Sequence, residues 1–122
     1  MYPPVFAAVN VTGVHALLKT GQGELRFYLF GEAPQGVTRP YAVWRQVFGL
    51  PENFLGEAPD LDTFGTQIDV YANDAASARA VAAALRDAIE PVAHITSWRG
   101  DGTDPETKAK TFTFEAEWKT AR

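Results

Sequence analysis

The feature that most constrains the fold is an alanine-rich amphipathic segment that lies between two segments of alternating polarity. Its apolar positions recur at the spacing of one helix face, and they are Ala78, Val81, Ala82, Leu85 and Ile89. Asn73 or Asp74 can cap its start, and Pro91 ends it after Glu90 because a proline ring cannot continue a helix. Since many flanking residues are alanines, the pattern predicts a helix that lies close on a sheet.

The segments around this helix predict strands that bury one face. Between Phe64 and Ala72 the residues of one face are Phe64, Thr66, Ile68, Val70 and Ala72. Between Thr111 and Trp118 the inward set is Phe112, Phe114, Ala116 and Trp118. Val92 to Trp98 predicts a further strand, which follows the helix directly.

The N-terminal half predicts one helix and two strands. An apolar stripe predicts a helix from Pro3 to Lys19. The apolar run from Leu25 to Phe30 predicts a short strand. Tyr41 to Phe48 predicts a central strand with apolar groups on both faces. One face holds Tyr41, Val43 and Val47, and the other holds Trp44 and Phe48. Residues 49–62 show no clear period, which predicts a projecting loop or an irregular hairpin.

The resulting element order is α–β–β–β–α–β–β. It predicts an α+β fold with one mainly antiparallel sheet of about five strands and two helices packed on it. A length of 122 residues suits a single domain over residues 1–122.

Composition excludes several classes of protein. The chain has no cysteine and only two histidines, so thiol catalysis and Cys-ligated metal sites are excluded and a multi-histidine site is improbable. A net charge of −4 argues against a free nucleic-acid binder. The N-terminus has no basic region of the signal-peptide type, and no apolar run approaches the roughly 20 residues of a membrane span. We therefore expect neither export nor a membrane partner.

Motifs for metal and nucleotide binding are incomplete. Asp60, Asp62 and Gly65 begin a calcium-loop pattern, but Phe64 stands where an oxygen ligand belongs and Tyr71 replaces the closing Glu. Gly21 and Gly23 begin a dinucleotide fingerprint that Arg26 breaks. We expect no cofactor and no metal site.

Candidates for acid–base chemistry are equally sparse. His15 and His94 lie far apart in the sequence, and no nucleophile motif accompanies either one. Glu115 and Glu117 share one strand face, which is more often a solvated or interface face than a catalytic pair. We expect no catalytic residues and no enzymatic activity.

An acidic region occupies the middle of the sequence. No Lys or Arg occurs between Arg45 and Arg79, whereas six acidic residues do. Apolar Phe54 and Leu55 lie in the same irregular segment and either dock on a neighbour or fold back on the sheet. The acidic region is either a solvated loop or a surface that meets a basic partner or lines a channel for an anion. The candidate interaction residues are Glu52, Phe54, Leu55, Glu57, Asp60 and Asp62.

An ordered set of motifs resembles a known family. Pro40-Tyr41-Ala42-Val43-Trp44-Arg45-Gln46 follows Ala33-Pro34-Gln35-Gly36 and precedes Leu55-Gly56. Gln67-Ile68-Asp69-Val70-Tyr71-Ala72 and the helix from Ala75 to Ile89 come next. In this order the chain resembles the tail completion, or tail terminator, proteins of long-tailed bacteriophages and gene-transfer particles.

The resemblance implies a structural virion protein assembled in the bacterial host cytoplasm. It implies a ring of six copies that caps the tail tube, stops its elongation and joins the tail to the head connector. The implied partners are copies of the chain, the tail tube protein and a connector or adaptor protein, while DNA passes the lumen without specific binding. No catalytic residue or cofactor is implied.

Three other functions stay open. The nearest is another head–tail neck or adaptor protein of similar size. A small α+β enzyme would need a closed pocket around His94 with a nearby carboxylate. A free peptide-binding module would use a sheet edge and stay monomeric.

Overall fold

Three helices and five strands make up the fold in a computed structural model, which describes residues 4–20, 23–52 and 61–121. The helices are α1 (Val5–Val9), α2 (Thr12–Leu18) and α3 (Ala75–Ile89). The strands are β1 (Phe27–Leu29), β2 (Tyr41–Glu52), β3 (Leu61–Ala72), β4 (His94–Thr103) and β5 (Lys110–Ala121). The predicted α+β class is confirmed, and the number of helices is three where two were expected.

The alanine-rich helix forms as its pattern predicts. The Asp74 side chain caps α3 by accepting a hydrogen bond of 2.7 Å from the backbone N–H of Ser77. All five residues of the predicted stripe are buried, and the helix ends at Ile89, one residue before Glu90 and two before Pro91. The helix packs on β3, β5 and β4, while α1 and α2 pack against it. One layer of helices therefore covers one face of the sheet.

The predicted N-terminal helix is divided into α1 and α2, and expecting one helix was wrong. Val11, between the two helices, has extended backbone angles, with φ −133° and ψ 161°. Val9 and Val14 are both buried, yet five residues in one straight helix would point them about 140° apart. The break brings both side chains to the same core, and this gain overrides helix continuity.

The five strands form one sheet in the order β1-β2-β3-β5-β4. All neighbouring pairs are antiparallel except β1 and β2, which are parallel, so the predicted mainly antiparallel sheet of five strands is confirmed. Strands β2 and β3 extend to Glu52 and Leu61, further than their patterns predict. The segment predicted as a loop therefore contributes strand residues at both of its ends.

The inner faces of β3 and β5 carry most of the sheet's share of the core. The predicted inward residues of β3 are all buried, and so are those of β5. Trp44 of β2 is also in this core, with 8% of its surface exposed. Half-buried Arg26 links α2 to the start of β2. It donates to Leu17 O of α2 at 3.2 Å and to Pro40 O, just before β2, at 2.8 Å.

The predicted faces of β2 are corrected by a β-bulge. Gln46 pairs with Thr66, but the next pair is Phe48 with Gly65, so Val47 is an extra residue. The extra residue moves Phe48 to the face opposite Trp44. Phe48 is 42% exposed there, and the expectation that Trp44 and Phe48 share a face was wrong.

A buried polar pair lies in the core between β3 and β5. The indole N–H of Trp118 donates to Thr66 Oγ1 at 2.9 Å, and both side chains are buried. The Thr66 hydroxyl in turn donates to Ala116 O at 3.4 Å. The threonine therefore satisfies a donor that burial would otherwise leave unpaired.

We predict that Thr66→Val lowers the free energy of unfolding by about 1–3 kcal/mol, because valine keeps the volume and leaves the indole N–H without an acceptor. Urea unfolding followed by tryptophan fluorescence measures the change. Thr96→Val, at an exposed position of β4, is the control and should change stability by less than about 0.5 kcal/mol. Equal effects of the two substitutions would contradict the role given to Thr66.

Candidate assembly surface

The sheet has one face that no described helix covers. Strand register places its residues side by side: Tyr41 opposite Tyr71, Val43 opposite Asp69, and Arg45 opposite Gln67. Strand β5 continues the same rows, with Thr113 opposite Asp69 and Glu115 opposite Gln67. We call these eight residues the uncovered face. The members on β3 and β5 are half-buried, although no helix packs on them.

Hydrogen bonds connect the uncovered face across three strands. Arg45 donates to Gln67 Oε1 at 3.2 Å, and Gln67 donates to both carboxylate oxygens of Asp69 at 3.2 Å. The Thr113 hydroxyl donates to Asp69 Oδ1 at 2.7 Å. These bonds hold the polar side chains in fixed positions, as a surface that fits a partner requires.

Aromatic groups lie at one end of the uncovered face. The rings of Tyr41 and Tyr71 stack with centroids 5.0 Å apart. Burial raises the pKa of the Tyr71 hydroxyl, and the nearby Asp69 carboxylate raises it further. Both phenols therefore stay neutral at physiological pH, and their amphipathic rings are of the type enriched in protein interfaces.

Phe48 lies on the same side of the sheet, next to the bulge. Its ring lies directly over Gly65, because a Cβ built on that glycine would overlap the ring. Only glycine leaves room for this contact. An aromatic side chain is therefore held against the sheet with 42% of its surface open to solvent, beside Val47 at 41%.

The sheet ends in a three-strand extension beyond the Gly65–Glu117 pair. It consists of residues 49–52 of β2, 61–64 of β3 and 118–121 of β5. Among the described residues, β4 pairs with β5 no further than Glu117, and β1 pairs with β2 only at Ala42–Trp44. The outer edge of β2 from Arg45 onward therefore presents backbone groups that no described strand pairs.

The predicted interaction residues map to this extension or fall outside the description. Glu52 ends β2, and Asp62 lies near the start of β3, opposite Pro51. The structure thus brings the two ends of the acidic segment to the same end of the sheet. Phe54, Leu55, Glu57 and Asp60 lie outside the described residues, and their part in binding stays a prediction.

The structure keeps the two candidate histidines apart but places His94 near carboxylates. His94, Glu90 and Glu117 line a solvent-open cavity of about 270 Å³, which is not a closed pocket. His15 Nε2 lies 2.5 Å from Asn10 Oδ1, whereas His94 is on β4, opposite Glu117. Glu115 and Glu117 do share a face, but Glu115 accepts a hydrogen bond of 2.8 Å from Arg99 Nε. Within residues 4–20, 23–52 and 61–121, no group of three or more His, Asp or Glu could hold a metal ion.

The loop between β4 and β5 is ordered by its own hydrogen bonds. The backbone N–H groups of Glu106 and Thr107 donate to Asp104 Oδ1 at 2.9 and 3.4 Å. The hydrogen bond from Glu106 is the main cause of the lowered pKa of the Asp104 carboxyl. Arg39 donates to Thr107 O and to Asn73 Oδ1, both at 3.3 Å. This loop therefore closes the end of the sheet opposite the three-strand extension.

Comparison with protein families decides the identity. Residues 5–121 match the family described as Tail completion protein gp17, which covers all eight helices and strands. The chain belongs to this tail completion family. Comparison with curated proteins found no match, and none of the described helices is long and apolar enough to cross a membrane.

Membership confirms the resemblance seen in the sequence. Tail completion proteins are structural proteins of phage tails, so the chain is a virion component. Their role lies in assembly, and the features above that suit assembly are the uncovered face, the open edge of β2 and the three-strand extension.

We predict that Gly65→Ala destabilises the protein by about 1–2 kcal/mol, because the new methyl group displaces the Phe48 ring. In a Phe48→Ala background the same substitution should be neutral or stabilising, since alanine suits a strand better than glycine. Thermal unfolding of the unchanged protein, the two single variants and the double variant measures both effects. A cost of Gly65→Ala that is the same in both backgrounds would show that Phe48 does not lie over Gly65.

Proposed function

We propose that the protein closes the tail tube as a ring of six copies, stops tube elongation and joins the tail to the head connector. The observation that carries the proposal is the family match over residues 5–121. It is combined with a sheet that has one face covered by no described helix and a β2 edge beyond Trp44 paired by no described strand. The ring assembles in the host cytoplasm on the last disc of the tube. Its work is binding, and no bond is made or broken.

A closed ring needs two different patches on each subunit that fit one another. The open edge of β2 beyond Trp44 is one patch, because backbone groups of an unpaired edge accept an added strand. The outer edges of β1 and β4 are the other strand edges among the described elements, and β1 is only three residues long. Bulges after Ile95 and after Trp98 interrupt the pairing of β4 with β5, which restricts any strand added to β4 to short stretches.

Charge supports a lumen that DNA crosses without binding. The protein carries a net charge of −4, and no Lys or Arg occurs between Arg45 and Arg79. Glu52 is the last residue of β2, and Asp62 lies in β3, so both belong to the three-strand extension. If this end lines the lumen, like charge keeps the DNA backbone from adhering to the ring.

We predict that the purified protein caps tubes of its tail tube protein and stops their growth. Electron microscopy of tubes grown with and without the protein measures end structure and length. Phe54→Asp with Leu55→Asp should weaken capping and leave the circular dichroism spectrum unchanged, because the two apolar groups then no longer favour docking. Phe30→Asp, at a side chain 66% exposed beside the short strand β1, is the control for adding charge.

Uncapped tubes in vitro, together with tails of normal length in particles that lack the protein, would refute the terminator function. Labelling the protein in intact particles separates it from a neck or adaptor protein. A label in direct contact with the last disc of the tube supports the proposed function. A label that contacts the head and lies away from the tube favours the adaptor.

A further inference from the structure

A groove of about 490 Å³ runs between α3 and β4, away from the uncovered face. Trp98 and Phe112 form its aromatic wall, with ring centroids 4.6 Å apart, and Ala83 lies on the helix side. Trp98 is 41% exposed, which is costly for so large an apolar group. A volume in the range of about 300–1,000 Å³ is typical of pockets that bind ligands or side chains.

Arginines border the groove along one side of α3. The Arg86 guanidinium lies over the Trp98 ring, 4.9 Å from its centroid, and donates through Nε to Glu90 at 3.0 Å. Within the part of the chain that the structure describes, its two terminal nitrogens have no hydrogen-bond acceptor. Arg79 forms an exposed ion pair with Asp101 at the other end of the groove. Because Arg79 contacts both carboxylate oxygens of Asp101, it is already occupied. Arg86 is therefore the arginine that can bind an incoming carboxylate.

The chain contains one segment with matching chemistry. Residues 52–62 carry four acidic groups, no basic group and the adjacent apolar pair Phe54 and Leu55. An apolar pair flanked by carboxylates complements an aromatic wall bordered by arginines. In the sequence the segment connects β2 to β3, whose facing residues Glu52 and Leu61 lie at the tip of the sheet.

A subunit cannot place this segment in its own groove. Along β5, Phe114 pairs with Trp98 and Ala121 pairs with Leu61, so about seven residues at roughly 3.4 Å each separate groove and tip. That distance is roughly 24 Å. Leu55 is three residues from Glu52, so at about 3.5 Å per residue its backbone reaches no more than about 11 Å from that end of β2. The contact is therefore possible only between two copies.

We propose that residues 52–62 of one copy bind the Trp98 groove of the next copy, with Phe54 and Leu55 against Trp98 and a carboxylate of the segment against Arg86. This contact joins two different patches, as a closed ring requires, and it deepens the proposed ring function on which it rests.

A synthetic peptide of residues 52–62 tests the contact directly. Fluorescence anisotropy of the labelled peptide, titrated with the full-length protein, measures its affinity. We expect saturable binding that Trp98→Ala weakens at least tenfold. A peptide with Phe54→Asp and Leu55→Asp should bind at least tenfold more weakly as well.

Two substitutions at the exposed Ala83 distinguish an effect of charge on peptide binding from an effect of misfolding. Ala83→Glu and Ala83→Lys add side chains of similar size to the groove rim on α3. We expect Ala83→Glu to bind the peptide at least tenfold more weakly than Ala83→Lys, while circular dichroism and thermal unfolding show that both fold. Because neither variant removes a core contact, this comparison holds even if Trp98→Ala fails to fold.

Absence of saturable binding at millimolar protein would overturn the contact, as would equal affinities of the Ala83 variants or binding that Trp98→Ala leaves unchanged. Binding of the peptide to the tail tube protein and not to this chain would overturn it as well. If the peptide fails to bind while the protein still caps tubes, the contact is wrong and the ring function stands. If the peptide binds while tails are normal without the protein, the contact stands and the terminator function is wrong.

Discussion

The packing of α3 on β3 and β5 determines how the rest of the protein is arranged. Buried Ala78 and Ala82 let the helix approach the sheet closely, while Val81, Leu85 and Ile89 belong to the same buried core as Ile68 and Phe114. The two short helices pack against α3 on the same side. All described helices therefore lie on one face of the sheet. The opposite face must be stable in water through its own hydrogen bonds, or be covered by another protein.

Elements with a strong local pattern were predicted correctly, and those that depend on distant partners were not. The alternation in β3 and β5 and the stripe of α3 can be read from neighbouring residues alone. The bulge at Val47 cannot, because it depends on the space that Gly65 leaves for the Phe48 ring on another strand. The break at Val11 is similar, since it serves a core that α3 and the sheet complete.

The candidate surfaces show the same division. The acidic segment and its apolar pair were visible in the sequence, because a long stretch without Lys or Arg needs no structure to be noticed. The network of Arg45, Gln67, Asp69 and Thr113 was not, since it joins residues up to 44 positions apart through strand register. The Trp98 groove likewise combines α3 with β4. Surfaces of this kind suit a family of structural tail proteins.

Amide hydrogen exchange of the protein, free and assembled on tail tubes, tests most directly whether its open sheet edge is an assembly surface. We expect the outward amides of β2 from Arg45 to Glu52 to exchange readily in the free protein and at least tenfold more slowly on the tube. Amides in α3, which the sheet already protects, should change little. Unchanged exchange along β2 in tubes that carry the protein would contradict the account, since the edge would then have no partner.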